Sequence, residues 1–128
     1  MPRPIESRTR IFFEYWLPVL AYAALIVTFS AQPSLQPPMH FSGADKWAHL
    51  VEYFGLGFVL GRALRASMPA RDPLVAGLLT LGLGLLMAVG DEVFQSFVPG
   101  RDSSHLDVMA DMAGLVLAML AYMTFTRD

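Results

Sequence analysis

Apolar residues fall into four long blocks, near residues 11–30, 47–64, 74–94 and 106–125, separated by short stretches rich in proline, glycine and charge. A helix needs roughly 17–25 apolar residues to cross the hydrocarbon core of a bilayer, and each block meets that length. The runs are continuous rather than alternating, which points to helices and away from barrel strands. Breakers punctuate them: Pro33, Pro37, Pro38 and Gly43 after the first block, Pro69 and Pro73 after the second, and Pro99-Gly100 after the third. The pattern predicts an all-α integral membrane protein, with four transmembrane helices in a compact bundle that forms a single domain over residues 1–128.

Composition sharpens this picture. Of the 128 residues, 55% are hydrophobic, above the roughly 45–50% usual for soluble proteins. A net charge of −2 gives no reason to expect a nucleic-acid partner, and the lack of cysteine excludes disulfides, thiolate metal sites and a cysteine nucleophile. Arg3, Arg8 and Arg10 ahead of an apolar run resemble the start of a secretory leader. Glu14 and Pro18 interrupt the run, however, and Phe29 and Pro33 are poor cleavage surroundings, so a retained helix is expected. Arg3, Arg8, Arg10, Arg62, Arg65, Arg71 and Arg127 flank one side of the blocks, leaving only Lys46 and Arg101 on the other. That bias places both termini in the cytoplasm.

The acidic residues are skewed the opposite way. Asp45, Glu52, Asp91, Glu92, Asp102, Asp107 and Asp111 lie at the outer ends with only Lys46 and Arg101 for company, a formal −5. Ionisable groups in a membrane helix cost roughly 2.5–3.5 kcal/mol each at mid-bilayer, so they normally face the bundle interior and find partners. Their spacing agrees with this. Lys46, His49 and Tyr53 share a face of the second helix, with Glu52 one position off. Asp91 and Gln95 share a face of the third, with Glu92 close by. Ser104, Asp107, Asp111 and Gly114 repeat at three and four on the fourth. His40, Asp102 and His105 read as solvated loop groups. Uncompensated carboxylates in a confined volume must be protonated, solvated, or matched by a cation or a cationic ligand. Gly57 and Gly61 on the second helix, and Ala110, Gly114 and Ala118 on the fourth, form small-residue stripes that allow close helix approach.

These residues resemble the VanZ-like family of bacterial membrane proteins. The likeness runs through Ser30-Ala31-Gln32-Pro33 and Asp45-Lys46-x-x-His49-x-x-x-Tyr53. It continues in Asp91-Glu92-x-x-Gln95-x-Phe97-x-Pro99-Gly100-Arg101 and ends in Ser104-x-x-Asp107-x-x-x-Asp111-x-x-Gly114. One departure stands out, since the family usually has asparagine where this chain has Asp111. The resemblance implies a four-helix protein of the bacterial cytoplasmic membrane, in a family whose founding member is associated with resistance to the lipid-tailed glycopeptide teicoplanin. It implies no reaction.

The residues leave three functions open. In the first, an outward-facing intramembrane polar cavity lined by Lys46, His49, Tyr53, Asp91, Glu92, Gln95, Arg101, Ser104, Asp107 and Asp111 binds membrane lipids, a lipid-linked envelope precursor or an amphiphilic drug. Lys46 and Arg101 are then the natural binders of phosphate or carboxylate. In the second, the same carboxylates and His49 serve a membrane enzyme acting on a lipid, as metal ligands or as general acid and base. In the third, the cluster is a structural assembly device. No HExxH, GxSxG or P-loop signature is present, and the sequence names no cofactor, metal or oligomeric state.

Overall fold

The apolar blocks fold as helices that run past their hydrophobic ends in the computed structural model, which describes residues 5–32, 43–101 and 104–125. Pro33, Pro37, Pro38, His40, Asp102 and Arg127 lie outside the described residues. Helix α1 (Ile5–Ile11) passes through a π-helical turn at Phe12–Trp16 into α2 (Leu17–Ser30), making one continuous rod. The rod starts ahead of the apolar block because hydrophobicity marks the lipid-facing stretch, not where hydrogen bonding begins. Pro18 explains the π turn. It cannot donate to the Glu14 carbonyl and its ring crowds that group, and the widened turn, with Leu17 N–H bonding Phe12 O, relieves the conflict.

Helix α3 (Ala44–Ser67) starts at Gly43, whose φ of 83° lies in the left-handed region that glycine enters without strain. Helix α4 (Pro73–Gln95) is capped by Asp72, whose Oδ1 accepts the Leu74 N–H at 2.8 Å, with Pro73 at its first turn. Helix α5 (His105–Phe125) is capped by Ser104, whose hydroxyl accepts the Leu106 N–H at 3.2 Å. Among the described residues there is no strand.

Three of these rods, Ser7–Ser30, Pro73–Gln95 and His105–Thr124, are long and apolar enough to cross a membrane. Helix α3 is equally long but carries Asp45, Lys46, Glu52, Arg62 and Arg65. Its position accounts for that composition, since it packs against α1, α2, α4 and α5 and turns only part of its surface outward. Tyr53, Leu56, Gly57, Leu60, Gly61 and Leu64 are its buried stripe, at the three- and four-residue spacing of an interior helix face.

The tightest contact joins α3 to α5, which run parallel and in register. A Cβ on Gly114 would fall on the Leu50 carbonyl oxygen and 2.8 Å from the Phe54 nitrogen, and one on Gly57 would sit 2.8 Å from the Ala118 Cβ. Gly57 of one stripe thus meets Ala118 of the other, and at Gly114 backbone touches backbone. Gly61 departs from that pairing and faces Thr80 of α4. The remaining rod docks through aromatic groups. Tyr22 donates its hydroxyl to the Glu52 carbonyl at 2.7 Å, over the space left by Gly55. Trp16 Nε1 donates to Ser67 Oγ at 2.8 Å, and the Arg62 guanidinium lies over the Tyr15 ring.

Candidate functional site

Alternating helix direction brings the C-terminal ends of α2 and α4 beside the N-terminal ends of α3 and α5. The polar faces read from the sequence therefore collect at one end of the bundle. The α3–α5 register does most of the pairing. Lys46 Nζ donates to Asp107 Oδ1 and, at 2.7 Å, to Asp45 Oδ2. One turn further in, His49 Nδ1 is hydrogen-bonded to Asp111 Oδ1 at 2.8 Å, while His49 Nε2 stands 3.9 Å from Asp107 Oδ1. Asp107 and Asp111 are 3% and 1% exposed, so these partners offset a large desolvation cost. Asp111 thus has its own counter-group in His49. At the solvent edge, the hydrogen bond from Lys46 holds the Asp45 carboxyl below its ordinary range.

Helix α4 contributes a different kind of surface. Asp91 and Gln95 are buried, at 8% and 2% exposure, and Tyr53 of α3 is fully buried. Gln95 Nε2 donates to Ser30 Oγ at 3.2 Å, which ties α4 to the end of α2. Among the described residues, four buried atoms nearby have no hydrogen-bond partner: the Tyr53 hydroxyl, Asp91 Oδ1, Glu92 Oε1 and Gln95 Oε1. Native interiors rarely leave such atoms unmatched, and each costs about 1–3 kcal/mol when orphaned.

Arg101 is positioned by the turn that follows α4. Arg101 N–H bonds Val98 O at 3.2 Å across Pro99 and Gly100, and Gly100 has a φ of 79°. Proline followed by a left-handed glycine is the pattern of a type II turn. The turn holds Arg101 half-buried and within electrostatic reach of Glu52 and Asp91. Among the described residues, Arg101 is in no ion pair.

Several sequence expectations change in detail. Lys46, a natural anion binder by sequence, has its ammonium engaged by two carboxylates. Ser104 uses its hydroxyl to cap α5 and approaches Glu92 through its backbone. Ser30 and Glu52 belong to the cluster although the helical spacing did not select them. Ser30 was legible as the start of the Ser30-Ala31-Gln32-Pro33 likeness but not as part of a polar helical face, and Glu52 lies one position off the Lys46–His49–Tyr53 stripe. A cavity of about 420 Å³ lies toward the opposite end of the bundle, lined by Gly57, Gly61, Arg65, Thr80 and Tyr122. Among the described residues, no three His, Asp or Glu side chains are arranged to hold a metal ion.

Residues 4–126 match the family model described as VanZ/LLP1. No curated protein and no solved structure matches the chain.

Proposed function

Since the chain belongs to the VanZ/LLP1 family, we propose that it spans the bacterial cytoplasmic membrane four times and binds the polar head of an amphiphile at its Arg101 end. That end faces outward and both termini face the cytoplasm. The observation that carries this reading is Arg101 itself, a half-buried guanidinium in no ion pair among the described residues, fixed by a tight turn beside orphaned buried polar atoms. A guanidinium presents a planar fork that matches phosphate or carboxylate through two parallel hydrogen bonds. The head group of a lipid, a lipid-linked precursor or an amphiphilic drug would place its anion there, with its tail between helices.

Lipid binding followed by native mass spectrometry or thermal unfolding in detergent tests the site. Arg101→Lys is expected to keep the melting temperature within a few degrees and to weaken phospholipid binding by about tenfold, because a point charge loses one arm of the fork. Wild-type affinity in that variant would count against Arg101 as the contact. Orientation is tested in whole cells on the naturally cysteine-free chain. Phe97→Cys is expected to react with an impermeant thiol reagent and Ala70→Cys to stay unlabelled, as the seven-to-two Lys/Arg bias demands. The reverse pattern would invert the topology.

One observation favours a second reading. His49 is oriented by Asp111 through Nδ1 and keeps Nε2 without a hydrogen bond among the described residues, the arrangement of a general base. Wild-type protein that converts a bound phospholipid, with conversion abolished in His49→Gln, would make the site an enzyme's.

A further inference from the structure

The charge pattern within the cluster constrains the ligand further. Lys46 is taken up by Asp45 and Asp107, and His49 by Asp111. Glu52, Asp91 and Glu92 remain, in no ion pair among the described residues, with Arg101 as the nearby cation still uncommitted. Acidic residues alone would say little. The buried groups among them say more. The Tyr53 hydroxyl, on a side chain with no exposure, has no hydrogen-bond partner among the described residues and sits within electrostatic reach of Asp91, Asp111, Glu52 and Glu92. Gln95 gives its amide N–H to Ser30 and leaves Oε1 unmatched.

Three of the four orphaned atoms, Asp91 Oδ1, Glu92 Oε1 and Gln95 Oε1, can only accept when the carboxylates are ionised, and all three come from little more than one turn of α4. A partner suited to these atoms brings several N–H or O–H donors and a positive charge. A sugar or glycerol hydroxyl brings donors without charge. A quaternary ammonium brings charge without donors. An alkylammonium brings three donors, one charge and no acceptor. Resting on the head-group reading above, we infer that the site receives a primary ammonium group on Asp91, Glu92, Gln95 and Tyr53, beside the anion held by Arg101. The preferred head group is thus zwitterionic, a phosphate or carboxylate adjoining a primary amine.

The full chain in detergent micelles, titrated with phosphatidylethanolamine, phosphatidylglycerol and phosphatidylcholine of matched acyl chains, provides the test. Phosphatidylethanolamine is expected to bind at least about tenfold tighter than either of the others, the effect of one or two charge-assisted hydrogen bonds. Asp91→Asn is expected to collapse that preference, lowering phosphatidylethanolamine affinity to the level of phosphatidylglycerol. Thermal unfolding reports whether the variant is folded, and Glu92→Gln is the second variant if it is not. Equal affinity for phosphatidylethanolamine and phosphatidylglycerol would overturn the ammonium assignment while leaving the head-group reading intact. An ethanolamine preference that survives in both folded variants would also overturn it. Binding of none of the three lipids would instead remove the head-group reading itself, and the ammonium site with it.

Discussion

Gly114→Val is expected to disrupt the bundle outright, with no cooperative unfolding transition near that of the parent in detergent. The added carbons would have to occupy space filled by the Leu50 carbonyl and the Phe54 nitrogen, and these are backbone atoms of a helix held on its other sides by α2 and α4. A flexible side chain could swing aside, but a helix backbone moves only as a whole. Separating α3 from α5 would also pull apart the Lys46–Asp107 and His49–Asp111 pairs, which depend on the same register. Overpacking of a core costs about 1–3 kcal/mol even where side chains can yield, and here nothing yields. Gly82→Ala is the internal control. Nothing lies within 4 Å of a Cβ at that position, so the substitution should be neutral, or stabilising by up to about 1 kcal/mol through helix propensity. Equal tolerance at positions 114 and 82 would show that α3 and α5 do not pack as described.

The helices were legible in the sequence because lipid imposes a simple demand, a long uninterrupted apolar run, and residues 11–30, 74–94 and 106–125 satisfy it with little compromise. Their true ends were not legible, since hydrogen bonding continues through Arg8 and Arg10 at one end of the first rod and through Arg65 and Ser67 at the end of α3. Helix α3 shows the limit of reading apolarity alone. It packs against every other rod, so its composition answers to protein neighbours as well as to lipid, and it carries Glu52, Arg62 and Arg65 within its length.

The grouping of the site residues followed from helical periodicity, because Lys46, His49 and Tyr53 on one helix and Asp107, Asp111 and Gly114 on another repeat at a spacing that only one face satisfies. Periodicity does not give register between helices. Whether Lys46 would face Asp91 or Asp107 depended on where α3 and α5 touch, and that is set by glycine contacts whose depth no spacing rule contains. Ser30 illustrates the same gap. Its hydroxyl matters because two side chains of α4 meet it, Gln95, 65 residues away, which donates to it, and Asp91.

Lys46→Met is expected to destabilise the protein by about 3 kcal/mol, near the low end for breaking a buried ion pair. Asp107 is almost wholly buried, and without the ammonium its nearest cationic candidate is His49 Nε2 at 3.9 Å. The low end applies because a third of the Lys46 side chain is exposed, so water can enter the space and solvate part of the carboxylate. The reciprocal change should cost less. Asp107→Asn leaves Lys46 with Asp45 and with solvent, and the asparagine oxygen can still accept from the ammonium. The two single variants should therefore differ, although they remove opposite ends of one bond. If the pair serves only to pin the ends of α3 and α5, the double variant Lys46→Met, Asp107→Leu should recover most of the lost stability, since apolar packing commonly replaces a buried ion pair without loss. Thermal unfolding of the three variants in one detergent measures all of this. Equal losses in the two single variants, or a double variant no better than Lys46→Met, would mean that Lys46 has a further partner at this end of the bundle and that pairing with Asp107 is not its main contribution.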